Sequence, residues 1–123
     1  DARRSMVKVY DKAFKDIPNI TLLQAHGRDN SSHHIYVVSI DFDKAGVTRH
    51  QFMEKLAEQG VGSQVHYIPV VSQPYYQELG YKIQQYSITD TYYQSTLSIP
   101  LYYGLSDVDQ RLVISSIRKL LGK

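Results

Sequence analysis

Apolar residues Met6, Val9, Tyr10, Ala13, Phe14 and Ile17 recur at three- and four-residue spacing, with Arg3, Arg4, Lys8, Asp11, Lys12 and Lys15 largely between them. The spacing predicts an amphipathic helix over Ala2–Asp16. Pro18 ends it, because a proline disfavours helical backbone in the residue before it. The helix begins at residue 1 with neither a cap nor a Met, so the natural chain is expected to extend further on its N-terminal side. A short apolar run at Ile20–Leu23 predicts a strand, and "HGRDNSS", His26–Ser32, a polar loop.

In "HHIYVVSIDF" the alternation is strict: Tyr36, Val38, Ile40 and Phe42 fall on one face, and Ile35, Val37, Ser39 and Asp41 on the other. This predicts a strand with one core face. "TRHQFMEKLAEQG" predicts a helix with Thr48 as N-cap, Gln51 completing a capping box, and Gly60 as the stop. Ser63–Ile68 reads as a strand with Val65 and Tyr67 on one side and Gln64, His66 and Ile68 on the other. "TDTYYQSTL" predicts a short helix leading into "SIPLYYG". Ser106 then caps a last helix through Val108, Leu112, Ile114, Ile117, Leu120 and Leu121. The order helix, strand, strand, helix, strand, helix, helix predicts an α+β fold: a small, mostly antiparallel sheet with helices packed on one face. No internal repeat or low-complexity segment interrupts it.

The length of 123 residues suits one domain, residues 1–123, with its own core. Lys and Arg total 14 against 12 Asp and Glu, scattered rather than gathered into a basic stripe, which speaks against a nucleic-acid partner. The absence of Cys excludes disulfides and thiolate metal sites. No signal-peptide pattern or membrane-length apolar run is present, so a cytoplasmic location is expected. The 11 Tyr stand against 3 Phe and no Trp, and most lie between Tyr67 and Tyr103. Amphipathic rings in a cluster suit an interface or a ligand wall, and equally half-buried packing.

The histidines show no spacing that sets two on one helix face, so no metal is expected. His33 and His34 read as an exposed strand entry. His66 differs, standing at a strand end beside Tyr67 and Pro69, off the core face, where ligands commonly meet the chain. No GxGxxG or GxxxxGK[ST] occurs, and none of the serines lies in a nucleophile elbow. The residues by themselves describe a small α+β domain with one candidate strand end.

The blocks "SSHHIYVVSIDF", "RHQFMEKLAEQGVG", "SQVHYIPVVSQPYYQELGY" and "YYQSTLSIPLYYGLSDVDQ" cover nearly the whole chain. Together they resemble the C-terminal domain of DegT-type sugar-nucleotide aminotransferases, most nearly the pseudaminic acid branch, which aminates a UDP-linked keto sugar. The resemblance implies a parent enzyme with a separate N-terminal domain that binds pyridoxal phosphate on a lysine, glutamate as amino donor, and a homodimer. It also implies that His66 hydrogen-bonds the sugar nucleotide while Tyr67, Ile68 and Pro69 line the wall, with Gln73 and Tyr75 on the same wall. These groups would position substrate, so no catalytic residue is expected here. The cofactor half of such an enzyme is missing from these residues. Lys8, Lys12, Lys15, Lys44, Lys55, Lys82, Lys119 and Lys123 fall on helix faces, in loops or at the terminus. The chain alone is therefore expected to bind no pyridoxal phosphate and to be inactive. The other reading is a free-standing interaction or ligand-binding module derived from that domain. In a domain separated from its partner, Ile68, Val70, Val71, Tyr75, Tyr102 and Tyr103 would be bare.

Overall fold

The computed structural model describes residues 1–23 and 28–122, so His26 and Gly27 of the expected polar loop, and Lys123, lie outside the described residues. In chain order the elements are α1 (Ala2–Phe14), β1 (Ile20–Leu22), β2 (Tyr36–Ile40), α2 (Phe42–Ala45), α3 (Arg49–Glu58), α4 (Pro74–Glu78), α5 (Ser87–Ser95), β3 (Thr96–Ile99) and α6 (Asp107–Leu120). Single 3₁₀ turns lie at Arg28–Asn30, Val70–Ser72 and Ile83–Gln85.

The three strands form one antiparallel sheet in the order β1-β2-β3. Its register sets Ile20 opposite Ile40, Val38 opposite both Leu22 and Leu97, and Tyr36 opposite Ile99. Directly opposed residues share a face, so these side chains make one apolar surface. The helical layer covers it with Val7, Tyr10 and Phe14 of α1, Phe52 and Leu56 of α3, and Val113 and Ile117 of α6, all buried. Each set recurs at three or four residues, which keeps it on one stripe of its helix. On the other face α5 touches β2, where Ser39 Oγ donates to Ser95 Oγ at 3.0 Å. Tyr10 joins the layers: its ring is fully buried and its hydroxyl donates to the Pro100 carbonyl at 2.8 Å. Burial pushes the Tyr10 phenol well above its usual range, so it stays neutral.

The expected caps form. Thr48 Oγ1 accepts from the Gln51 amide at 3.2 Å while Gln51 Oε1 accepts from the Thr48 amide at 3.0 Å. Ser106 Oγ accepts from the Asp109 amide at 3.1 Å. Gly60, just past α3, takes φ +79, a left-handed value that favours glycine.

The predicted strand over Ser63–Ile68 is absent. Only Gln64 pairs, as a single antiparallel bridge to Ser98 on the free edge of β3. Antiparallel continuation would need donors from residues 96 and 100. Pro100 has no N–H, and the Thr96 N–H is taken by the Tyr92 carbonyl at the end of α5. The third strand is instead Thr96–Ile99, four buried residues that the sequence reading divides between the end of the "TDTYYQSTL" helix and the start of "SIPLYYG".

A charged cluster ties the Arg28–Asn30 turn to the fold. Arg28 Nη1 and Nη2 donate to Asp11 Oδ2 and Oδ1 at 2.5 and 2.8 Å, and the Tyr36 hydroxyl donates to Asp11 Oδ1 at 2.6 Å. Burial alone would raise the Asp11 carboxyl, but the hydrogen bonds from Arg28 and Tyr36 and the Arg28 charge outweigh it and hold Asp11 below the usual range. A carboxyl depressed on folding stabilises the fold above its unfolded pKa of about 4, and that stability is lost as pH falls through the folded value. Asp11→Asn is therefore expected to cost about 2 kcal/mol at pH 7, between an exposed pair and a fully buried one. The gap should narrow as pH falls below the unfolded value and close as it passes through the lower, folded one. Urea denaturation at pH 7, 5 and 3 checks this, and a gap independent of pH would contradict it.

Candidate functional site

The bridge to Ser98 decides where His66 lies. The Ser98 amide donates to the Gln64 carbonyl at 2.8 Å, and the Gln64 amide donates to the Ser98 carbonyl at 3.1 Å. Two residues on, His66 Nδ1 is 2.7 Å from Ser98 Oγ. The Tyr67 ring meets the imidazole edge-on, with centroids 4.7 Å apart. His66 lines a cleft of about 410 Å³ with His34, Ile35, Gly62, Ser63, Gln64, Ser98, Ile99, Pro100 and Leu101. Its lining combines apolar Ile35, Ile99, Pro100 and Leu101 with polar His34, Gln64, His66 and Ser98. Such a surface can receive a ligand that combines an apolar ring edge with oxygen acceptors.

The other predicted site residues do not line this cleft. Tyr67 is 76% exposed and Ile68 54%, while Pro69 is buried. Gln73 stands exposed between the Val70–Ser72 turn and α4, and Tyr75 is exposed on α4 with its ring edge-on to Tyr76. The segment therefore presents two surfaces: a cleft at His66, and an open aromatic face running onto α4.

Sequence reading passed over Ser98, Gln64 and His34. Ser98 sits in the strand that the sequence reading did not separate from the preceding helix, and its link to His66 spans 32 residues. It also passed over a larger depression of about 740 Å³ beside the start of α3, lined in part by Asp41, Asp43, Thr48, Arg49 and Asp90. There Arg49 is already engaged, stacked 4.6 Å from the Tyr93 ring centroid and donating to the Tyr93 carbonyl. Asp41 caps α2, and its hydrogen bonds from the Lys44 amide and side chain hold its carboxyl below the usual range. Among the described residues no group of three or more His, Asp or Glu side chains could hold a metal, and no helix is long and apolar enough to cross a membrane.

The chain is similar to known proteins along almost its full length. It is 37% identical over 121 residues to the spore coat polysaccharide biosynthesis protein SpsC of Bacillus subtilis (strain 168), an overlap of 97% of this chain and 31% of that protein. Its fold superposes with a TM-score of 0.84 at 27% identity on Helicobacter pylori PseC, an aminotransferase involved in the biosynthesis of pseudoaminic acid, over 98% of this chain and 32% of that one. Streptococcus pneumoniae Spr1654, provisionally described as a sugar aminotransferase and solved in a PLP-form, superposes with a TM-score of 0.85 at 25% identity over 98% of this chain and 31% of that one. The chain thus spans about a third of the length of these relatives. The model of the DegT/DnrJ/EryC1/StrS aminotransferase family matches residues 1–118, and the chain belongs to that family.

Proposed function

We propose that the chain is the C-terminal domain of a pyridoxal-phosphate-dependent aminotransferase that aminates a UDP-linked keto sugar, with glutamate as donor. The carrying observation is its likeness, over nearly all of its own length, to about a third of sugar aminotransferases. In this reading the cofactor-binding N-terminal part and a second copy of the whole enzyme complete the active site, in the cytoplasm. The His66 cleft faces the sugar nucleotide, and Tyr67, Ile68, Pro69, Gln73 and Tyr75 contribute from the segment that follows it rather than from its lining. Its side chains bind and orient substrate, and a fixed orientation supplies much of a barrier reduction.

The described residues do not fit the cofactor by themselves. A lysine that holds pyridoxal phosphate must be enclosed and deprotonated, whereas Lys8, Lys12, Lys15, Lys44, Lys55, Lys82 and Lys119 are all exposed. The surface supports a role as part of a larger protein: Ile68, Val70, Tyr75, Tyr102 and Tyr103 are exposed and Val71 is half-buried. Apolar and aromatic groups left bare in this number mark a contact surface.

The test compares the full-length protein with this chain. Borohydride reduction in the presence of pyridoxal phosphate should label one lysine outside these residues in the full-length protein, which should also move the amino group of glutamate to a UDP-linked keto sugar. The 123-residue chain should do neither. One-to-one labelling of a single lysine in this chain, or a full-length protein inert toward every nucleotide-linked keto sugar, would overturn the proposal.

A further inference from the structure

We infer that Ser98 is a positioning residue: its hydroxyl donates to His66 Nδ1 and so holds the neutral imidazole with its proton on Nε2, offering one N–H donor to an oxygen acceptor of the ligand. The inference rests on the reading of His66 as ligand-facing. Distance alone does not say which partner donates, since 2.7 Å suits O–H to N and N–H to O alike. The surroundings of Ser98 decide it. The residue is 6% exposed, in the middle of the sheet register, opposite Val37 on one side and Gln64 on the other. Its backbone N–H and C=O are both committed to Gln64.

If Nδ1–H donated to Ser98 Oγ, the serine O–H would need another acceptor, and among the described residues Oγ has no second partner. A buried hydroxyl hydrogen would be left unpaired, which is costly. With the serine donating, its hydroxyl proton is paired and only an oxygen lone pair is left over at Oγ. Nε2 then carries the hydrogen, and among the described residues it has no protein partner. Tyr67, edge-on to the imidazole, restrains the ring from a second direction. A single fixed N–H suits the phosphate or hydroxyl oxygens of a sugar nucleotide, whereas a ring free to exchange tautomers would present a donor only part of the time.

Two measurements test this. In the ¹⁵N-histidine-labelled 123-residue chain at about pH 8.5, where imidazoles are neutral, long-range proton–nitrogen correlations should show His66 wholly as the Nε2–H form. Ser98→Ala should move it to a mixture of tautomers, and Ser98→Thr, which keeps the hydroxyl, should restore the single form. In the full-length protein Ser98→Ala should lower kcat/KM for the sugar nucleotide roughly fivefold, the value of one neutral hydrogen bond, with Ser98→Thr recovering most of it. A predominantly Nδ1–H ring in the unmodified chain, or one indifferent to Ser98→Ala, would overturn the inference. If the tautomer responds as expected while kcat/KM is unchanged, Ser98 still orients His66, and the assignment of the cleft to the sugar nucleotide falls instead.

Discussion

Phe52→Ala is expected to destabilise the fold by about 3–5 kcal/mol, the range for removing a fully buried aromatic ring. Phe52 has no exposed surface and packs edge-on against Phe42, with ring centroids 5.7 Å apart. With Leu56 it is one of only two buried side chains on α3, so half of that helix's anchoring would go. The loss would spread toward the site, because the Val61 amide closes on the Leu56 carbonyl at 2.9 Å and starts the segment that leads to Gln64 and His66. Domains of this size commonly have only 5–15 kcal/mol of stability in total, so the variant should be largely unfolded under mild denaturant. Phe52→Leu, which keeps most of the volume, should cost about 1.5 kcal/mol or less. Urea midpoints for the three proteins check the order, and a Phe52→Ala midpoint equal to that of the parent chain would show the core to be packed otherwise.

What could be read from the sequence follows the range over which each signal acts. The capping box at Thr48 and Gln51, the Ser106 cap and the core face of Tyr36, Val38 and Ile40 are local patterns, and each stands where the pattern put it. The strand expected at Ser63–Ile68 failed because pairing depends on the neighbouring strand's donors, and Pro100 and Thr96 withhold theirs. β3 was missed because it is only four residues long and abuts α5, so Thr96 and Leu97 read as the end of the "TDTYYQSTL" helix. At the candidate site, His66 was visible as a residue type at a segment end. The contacts that fix it were not, since they join residues 32 apart, as the Asp11–Arg28 and Asp11–Tyr36 hydrogen bonds join residues 17 and 25 apart.

The physical chain from sequence to proposed function runs through one register. Pairing of β2 with β3 sets Ser98 opposite Val37 and leaves its other edge free. The backbone of Gln64 fills that edge, and the Ser98 hydroxyl then reaches His66. The sheet thereby places a polar ring in the lining of a cleft that Ile99, Pro100 and Leu101 also line. The exposed side chains of Tyr67, Ile68 and Tyr75 follow it along the chain, on the surface proposed to meet the sugar nucleotide and the remainder of the enzyme.

The central claim is that the His66 cleft faces the sugar nucleotide, and steady-state kinetics of His66→Ala in the full-length protein test it most directly. A lost hydrogen bond to a charged group is worth about 1.5–3 kcal/mol, so KM for the UDP-linked keto sugar should rise roughly 10- to 100-fold. KM for glutamate should stay close to that of the unmodified protein, and the melting temperature should fall only slightly, because the His66 side chain lies off the apolar core and its removal costs the fold one hydrogen bond to Ser98. Unchanged kinetics with the sugar nucleotide, accompanied by a clear fall in melting temperature, would contradict the claim and make His66 a structural residue.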